Sequence, residues 1–187
     1  MKDDVIVGDT PKGRARAGRL AGVTTRGRLW KHSTLNDLEG LVAPEELEGL
    51  FILTMVRNPW DRVVSLYHWL RAGHLTHSMA GLARSHDFSG FLNHRQVQTA
   101  LMMAPARAHM RDAAGVQRGQ LYVRLEHVEA DIAPFETHLG FRVTPFARVN
   151  ASDRARDWRG YYSEADAALL ARLCAEDIAQ FGYGFDG

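Results

Sequence analysis

The chain has 187 residues, of which 45% are apolar, and a formal charge of +1. It is long enough to bury one core. Its charge excludes a general nucleic-acid binder, because the affinity of such proteins grows with the number of phosphates that Lys and Arg neutralise. The one cysteine, Cys174, excludes an intrachain disulfide, a paired-thiol redox motif and a zinc ribbon. No stretch is apolar enough for a signal peptide or a membrane span, so we expect one cytoplasmic domain over residues 1–187, whose oligomeric state the sequence leaves open.

The N-terminal segment, residues 1–28, is basic. Seven Lys and Arg side chains lie between Lys12 and Lys31, and no acid occurs between Asp9 and Asp37. The scattered Gly and Pro predict a partly irregular segment, with a solvated loop over residues 12–22. Attraction of an anionic nucleotide or glycan by these charges is the alternative.

A strand followed by a helix is predicted in the middle of the chain. Pro44 and the two acids after it are typical of a helix start. The apolar run 51–56 predicts a strand buried on both faces, and Arg57, Asn58 and Pro59 end it and open a second helix. Apolar residues recur on that helix at a spacing typical of core packing, and we expect its aromatic residues to pack in the same way; they are Trp60, Val63, Val64, Tyr67, Trp69 and Leu70.

The second half of the chain repeats this order. Residues 121–123 predict another buried strand, and the helix after it should be bent or late-starting because it contains Pro134. The last helix is predicted from Ser163, which forms a capping pattern with Asp166, to Gly182, and Cys174 lies on its apolar stripe. Strands that alternate with helices indicate an α/β fold with a parallel sheet flanked by helices.

An anion site is predicted where the first strand ends. Arg57 lies at the carboxyl end of that strand, beside a helix N-terminus whose free N–H groups favour anions, and Ser65 could add a hydroxyl. From the residues alone, two structural interpretations stay open. Arg57 could pair with a carboxylate such as Asp61, and Ser65 could bond back within its helix.

Segment 56–65 resembles the 3′-phosphate-binding motif of the sulfotransferases that use 3′-phosphoadenosine-5′-phosphosulfate. In that motif an Arg at a strand end and a Ser eight residues later grip the donor's 3′-phosphate, as Arg57 and Ser65 are spaced here. Later parts of carbohydrate-type members are similar in order and spacing to two further segments of this chain, 124–128 and 139–141, and to its tail, which contains Asn150, Arg154 and residues 181–183. The resemblance implies a P-loop NTPase-like fold. It also implies transfer of a sulfuryl group from that donor to a hydroxyl of a carbohydrate, without a metal.

The resemblance also implies roles for individual residues. His32 corresponds to the base that takes the acceptor's proton, and Lys31 could stabilise charge on the transferring group. Arg154 could belong to a cationic loop that closes over the nucleotide. The alternatives are an ordinary histidine among the nine of the chain, a solvated lysine, and a surface loop in which Arg154, Arg156 and Arg159 are neutralised by Asp153 and Asp157.

One part of the family pattern has no counterpart. Its members open with a strand, a Lys- and Gly-containing loop that holds the 5′-phosphosulfate, and a helix. Residues 8–13 contain similar residue types, but Pro11 removes a donor and no strand of useful length precedes them. We therefore expect an N-terminally incomplete fold, in which the chain is either truncated or a natural remnant that binds a nucleotide or an anionic glycan without catalysis.

A metal-dependent phosphotransferase is the weakest alternative. Neither a Walker lysine nor a magnesium-binding carboxylate can be assigned. His74 and His77 are three residues apart, but no HExxH motif or carboxylate pair accompanies them. We therefore expect no metal.

Overall fold

The structure is a computed structural model that describes residues 11–29, 32–73, 76–146 and 154–186, without the side chain of Lys12. Lys31, His74 and Asn150, which the sequence analysis singled out, lie outside the described residues. The helices are α1 Pro11–Leu20, α2 Pro44–Glu48, α3 Pro59–Ala72, α4 Ser78–Ser85, α5 Phe88–Asn93, α6 Arg95–Met102, α7 Val128–Asp131, α8 Ala133–Leu139, α9 Glu164–Leu173 and α10 Ala175–Phe181. The strands are β1 Leu53–Val56 and β2 Leu121–Arg124, and short 3-10 helices cover Leu35–Leu38, Ala106–Met110, Leu125–His127 and Arg159–Tyr161.

The sheet of the described residues consists of β1 and β2, which pair in parallel and are flanked by helices. The predicted α/β class with a parallel sheet is thereby confirmed at this level. The chain divides into two compact units, one formed by Met1–Thr54 and Ala106–Tyr122 and the other by Met55–Pro105 and Val123–Gly187. The prediction of a single domain over residues 1–187 stays a prediction.

Strand β1 is shorter and less buried than the sequence predicts. It begins at Leu53 rather than at Phe51. Val56 is buried, but Met55 is 44% exposed, so the prediction of burial on both faces is wrong at this position. An apolar run shows that a strand can be buried, but neighbouring elements decide which of its faces they cover.

Helix α3 forms as predicted and lies at the centre of the second unit. Its N-cap is Asn58, and Pro59 occupies the first turn. The five aliphatic and aromatic residues predicted to pack are buried, namely Trp60, Val63, Val64, Tyr67 and Leu70. Trp69 was expected to pack as well, but it is 42% exposed, because it lies on the opposite side of the helix from this apolar stripe.

The core of the second unit is rich in aromatic rings. The indoles of Trp60 and Trp158 stack with their centroids 6.3 Å apart, and Phe185 contacts both rings edge-on. Leu170 of α9 and Cys174 are buried in the same cluster, as the predicted apolar stripe requires. These contacts tie the C-terminal segment to the first turn of α3, which bears the candidate site.

The predicted C-terminal helix is interrupted. Ser163 caps α9 by accepting a hydrogen bond from the backbone of Asp166 at 3.1 Å, as the capping pattern predicts. Cys174 then leaves the helical conformation, with φ of −113° and ψ of 22°, and α10 begins at the next residue. Helix α10 ends at Gly182, which adopts the left-handed conformation with φ of 68°. One continuous helix was therefore a wrong prediction, although its two ends were correct.

The basic segment is more ordered than predicted. Residues 12–22 were expected to form a loop, but Pro11–Leu20 is helix α1. Pro11 is compatible with a first helical position, and the Ala, Arg and Leu residues that follow are good helix formers, which offsets the cost of the two glycines. A break does occur before α8, the helix that contains Pro134, since Ile132 separates α8 from α7 as the bent-helix prediction anticipated.

The first unit has a smaller core. Leu47 of α2, Ile52 and Met110 form its buried cluster, and the backbone of Ile52 pairs with Gln120 at 2.9 Å. In neither unit does the described chain contain a helix with the length and apolar character needed to cross a membrane.

Candidate anion-binding site

The turn between β1 and α3 is held from three sides. The backbone N–H of Asn58 donates to Glu126 Oε1 at 2.7 Å, and the Asn58 side-chain amide donates to the carbonyl of Gly184 at 3.1 Å. Asn58 Oδ1 in turn accepts from the backbone of Trp60 at 3.1 Å, which caps the helix. Because Asn58 is only 6% exposed, these bonds fix the backbone from which Arg57 extends.

Two guanidinium groups share one carboxylate at the start of α3. Arg57 Nε donates a hydrogen bond to Asp61 Oδ2 at 2.7 Å, and Arg57 Nη2 lies 2.5 Å from the same oxygen in an ion pair. Arg154 Nη2 donates to the other oxygen, Asp61 Oδ1. The side chains of Arg57, Asp61 and Arg154 are 28%, 16% and 8% exposed, so this Asp61 cluster lies mostly out of solvent.

The Asp61 cluster carries an excess positive charge. Its two cations and one anion leave one positive charge uncompensated within the group. Arg124, at the carboxyl end of the neighbouring strand β2, differs, because Asp131 binds it in a two-point pair at 2.8 and 3.0 Å. The Arg124 guanidinium accordingly lowers the pKa of Asp131 to about 2. Of the two arginines that end the strands, Arg57 is the one in a group with charge left for a ligand.

Ser65 and His68 follow Asp61 along one face of α3, because positions four and seven residues apart lie on one side of a helix. The Ser65 hydroxyl has no hydrogen-bond partner among the residues that the structure describes. The Nε2 atom of His68 is buried and also lacks a partner within the described ranges. Burial, and after it the charges of Arg154 and Arg71, lower the pKa of His68, so its imidazole is neutral at neutral pH.

Tyr162 contacts the first turn of α3, on which Asp61 lies. Its hydroxyl donates to the Trp60 carbonyl at 2.8 Å. Burial, with a contribution from the charge of Asp61, raises the pKa of Tyr162, so the phenol stays protonated. The site thus combines fixed cations, the Ser65 hydroxyl and neutral rings, an arrangement that can bind an anion.

Comparisons with protein-family models, with curated proteins and with solved structures find no match to this chain. The resemblance to sulfotransferases therefore stays an interpretation of the sequence motifs.

Three of the five selected residues belong to the second unit. Arg57 and Arg154 converge on Asp61, and Ser65 lies one helical turn beyond that carboxylate. The ion pair of Arg57 with Asp61 is the one that the structural interpretation proposed. The back-bonding suggested for Ser65 is not found among the described residues. The idea that Arg154 belongs to a self-neutralised surface loop is wrong, because its side chain is buried against Asp61; Arg159 does pair with Asp157, at 3.4 Å.

Of the other two selected residues, His32 belongs to the first unit. His32 is exposed and lies in a turn before the 3-10 helix Leu35–Leu38. That turn is fixed by the Ser33 hydroxyl, which donates to the Arg28 carbonyl at 2.9 Å, and by Asp37, which accepts from the Thr34 backbone at 2.7 Å. Lys31 lies outside the described residues, so its role remains a prediction.

Sequence reasoning assigned no role to Glu126 or His68. Glu126 lies in a segment quoted for the resemblance, but its contact with the backbone of Asn58 joins residues 68 positions apart, which no local pattern indicates. The spacing of Asp61, Ser65 and His68 on one helix face was a readable signal for His68. Among the described residues, no group of three or more His, Cys, Asp or Glu side chains could hold a metal ion.

Proposed function

We propose that this chain transfers a sulfuryl group from 3′-phosphoadenosine-5′-phosphosulfate to a hydroxyl of a carbohydrate, on a fold related to P-loop nucleotide-binding proteins. The observation that carries the proposal is the convergence of Arg57 and Arg154 at the N-terminal turn of α3, with the hydroxyl of Ser65 one turn further. Two arginines that are far apart in sequence meet where the motif resemblance expects a 3′-phosphate.

The proposed roles follow from the chemistry of the transfer. Arg57, Arg154 and Ser65 bind the 3′-phosphate and set the position of the donor. The acceptor oxygen attacks sulfur, and the bond between sulfur and the 5′-phosphate oxygen breaks. The proton of the hydroxyl passes to His32 as general base, and Lys31 stabilises the charge that develops on the leaving phosphate. The products are a sulfate ester and adenosine 3′,5′-bisphosphate.

Nucleotide or anionic-glycan binding without transfer is the second candidate. It is favoured by the placement of Pro11 and Gly13, which lie in the first turn of α1. A loop that wraps a 5′-phosphosulfate uses successive free backbone N–H groups before a helix, and helical residues with a proline among them supply fewer. This segment therefore gives no support to donor activation, whereas the Asp61 cluster can bind an anion without it.

Calorimetric titration with adenosine 3′,5′-bisphosphate tests the proposed nucleotide site. We expect Arg57→Ala to weaken binding about tenfold or more, because a hydrogen-bonded charge contributes about 1.5–3 kcal/mol. Arg62→Ala is the matched control: Arg62 lies on the same helix but pairs with Asp177 at 3.7 Å, and its loss should leave the affinity unchanged. Adenosine 5′-phosphate, which lacks the 3′-phosphate, should bind much more weakly. Equal binding of both nucleotides would contradict the proposal.

The transfer step is tested separately at His32. With donor and a carbohydrate acceptor, His32→Ala should lower turnover about a hundredfold or more, as loss of a general base does, and leave the affinity for adenosine 3′,5′-bisphosphate unchanged. Nucleotide binding with no sulfate transfer by the wild-type chain would favour the second candidate. Full turnover by His32→Ala would show that the base is another group.

A further inference from the structure

Asp61 occupies the positions that a bound anion needs. Its Oδ2 atom accepts a hydrogen bond from Arg57 Nε and lies against Arg57 Nη2, and its Oδ1 atom accepts from Arg154. A phosphate that reaches both guanidiniums through separate oxygens has to take over these same donors. The carboxylate therefore stands where such a phosphate would bind.

We propose that Asp61 is an internal anion that holds Arg57 and Arg154 together and is exchanged for the 3′-phosphate when the nucleotide binds. Because this role concerns the nucleotide site, it rests on the proposed function. Asp61 is then a positioning residue, and it also limits affinity so that the product can leave.

The burial of Arg154 explains why such an anion is needed. Its guanidinium side chain is only 8% exposed, and a buried cation without a partner is strongly destabilising. The two guanidiniums would also repel each other, since like charges at short range disfavour one another. Asp61 removes both costs in the absence of ligand, so the two arginines are already assembled when the nucleotide arrives.

The same carboxylate opposes the ligand. Once displaced, it stays on the first turns of α3, next to a phosphate monoester with a charge of about −1.5 to −2 at neutral pH. In the part of the chain that the structure describes, His68 is neutral, Arg62 pairs with Asp177 and Arg124 pairs with Asp131, so none of these three groups compensates it. Asp61 therefore stabilises the folded protein when no nucleotide is bound and lowers the affinity for the nucleotide.

Asp61→Asn separates this role from a purely structural one. The amide keeps the shape and one acceptor oxygen but removes the charge. We expect the free energy of unfolding to fall, while adenosine 3′,5′-bisphosphate binds about tenfold more tightly and dissociates more slowly. Adenosine 5′-phosphate, with no 3′-phosphate, should bind as it does to the wild-type protein. A structural residue would lower stability and affinity together.

Asp177→Asn provides the matched control. Asp177 is also a buried acid that pairs with an arginine of α3, since its side chain is 7% exposed and lies 3.7 Å from Arg62. This substitution should lower stability without tightening the binding of adenosine 3′,5′-bisphosphate. Tighter binding in both variants would point to a general effect of net charge and would overturn the specific role of Asp61.

A second measurement does not depend on the variant folding. In carboxyl-labelled wild-type protein, the 13C resonance of the Asp61 carboxyl group should shift when adenosine 3′,5′-bisphosphate saturates the site. An unchanged resonance at saturation, or weaker nucleotide binding by Asp61→Asn, would overturn the exchange while leaving an Arg57-dependent nucleotide site intact. Wild-type protein that binds no adenosine 3′,5′-bisphosphate would remove both the exchange and the proposed function.

Discussion

Asp166 joins α5 to α9, and its replacement gives the sharpest test of how the second unit is held together. The carboxylate is 5% exposed and accepts hydrogen bonds from the hydroxyls of Ser89 and Ser163, each at 2.8 Å, and from the amide of Asn93 at 2.7 Å. Burial raises the pKa of Asp166, but these three donors outweigh it, so its pKa lies below the ordinary value. The charged form is therefore the form that folding selects.

The expected cost of Asp166→Ala follows from these contacts. Each hydrogen bond to a charged acceptor contributes about 1.5–3 kcal/mol, and three of them set an upper limit. Ser89 and Asn93 are exposed, so water can replace the carboxylate for their donors. We therefore expect the free energy of unfolding to fall by about 3 kcal/mol for Asp166→Ala and by about 1–2 kcal/mol for Asp166→Asn, which keeps one acceptor.

Urea unfolding followed by tryptophan fluorescence measures this effect, because Trp60 and Trp158 lie in the same core. Asp157→Ala is the control: that side chain is 70% exposed and pairs with Arg159 at 3.4 Å, so the midpoint should not change. The sign of the pH effect is also fixed. Because the pKa of Asp166 is lowered, its contribution is present above about 3.8 and is lost as the pH falls further. A change below about 0.5 kcal/mol for Asp166→Ala would refute this account.

Three further substitutions test the site and the core. Burial and Arg154 lower the pKa of His68 from 6.5, so the wild-type protein takes up a proton on unfolding once the pH falls below that value, and its stability decreases. In urea titrations we therefore expect His68→Phe to lose less stability between pH 7 and 5 than the wild-type protein does. Glu126→Gln should lower the free energy of unfolding by about 1 kcal/mol and weaken nucleotide binding in calorimetry. The reason is that Glu126 Oε1 accepts a hydrogen bond from the backbone N–H of Asn58 at 2.7 Å. Leu170→Ala should cost about 3 kcal/mol in thermal unfolding, since Leu170 is fully buried.

Two of these substitutions have an exposed counterpart as a control. Glu129→Gln should leave nucleotide binding unchanged. Leu125→Ala replaces a leucine that is 45% exposed and should have little effect on thermal unfolding. An unaltered pH dependence in His68→Phe, wild-type affinity in Glu126→Gln, or a leucine effect that is equal at both positions would contradict the corresponding explanation.

Local sequence patterns predicted the elements that carry the site. Pro59 after an apolar run predicted the junction of β1 and α3, and the apolar spacing on α3 predicted its buried face because a helix repeats every 3.6 residues. The same approach failed for residues 12–22, where glycines suggested a loop but the chain forms α1. It also failed at Met55 and Trp69, because exposure is set by which neighbours cover a residue and not by the residue itself.

The sequence by itself determined the junction of β1 and α3, the second strand, the capping of α9 and the candidate residues Arg57 and Ser65, because these depend on residues close together along the chain. Only the tertiary structure decided that Arg154 meets Arg57 at Asp61, and that Glu126 and Gly184 hold the turn at Asn58. Those contacts join residues between 68 and 126 positions apart. Their partners are selected by packing and by the need to neutralise buried charge, which act only after the chain has folded.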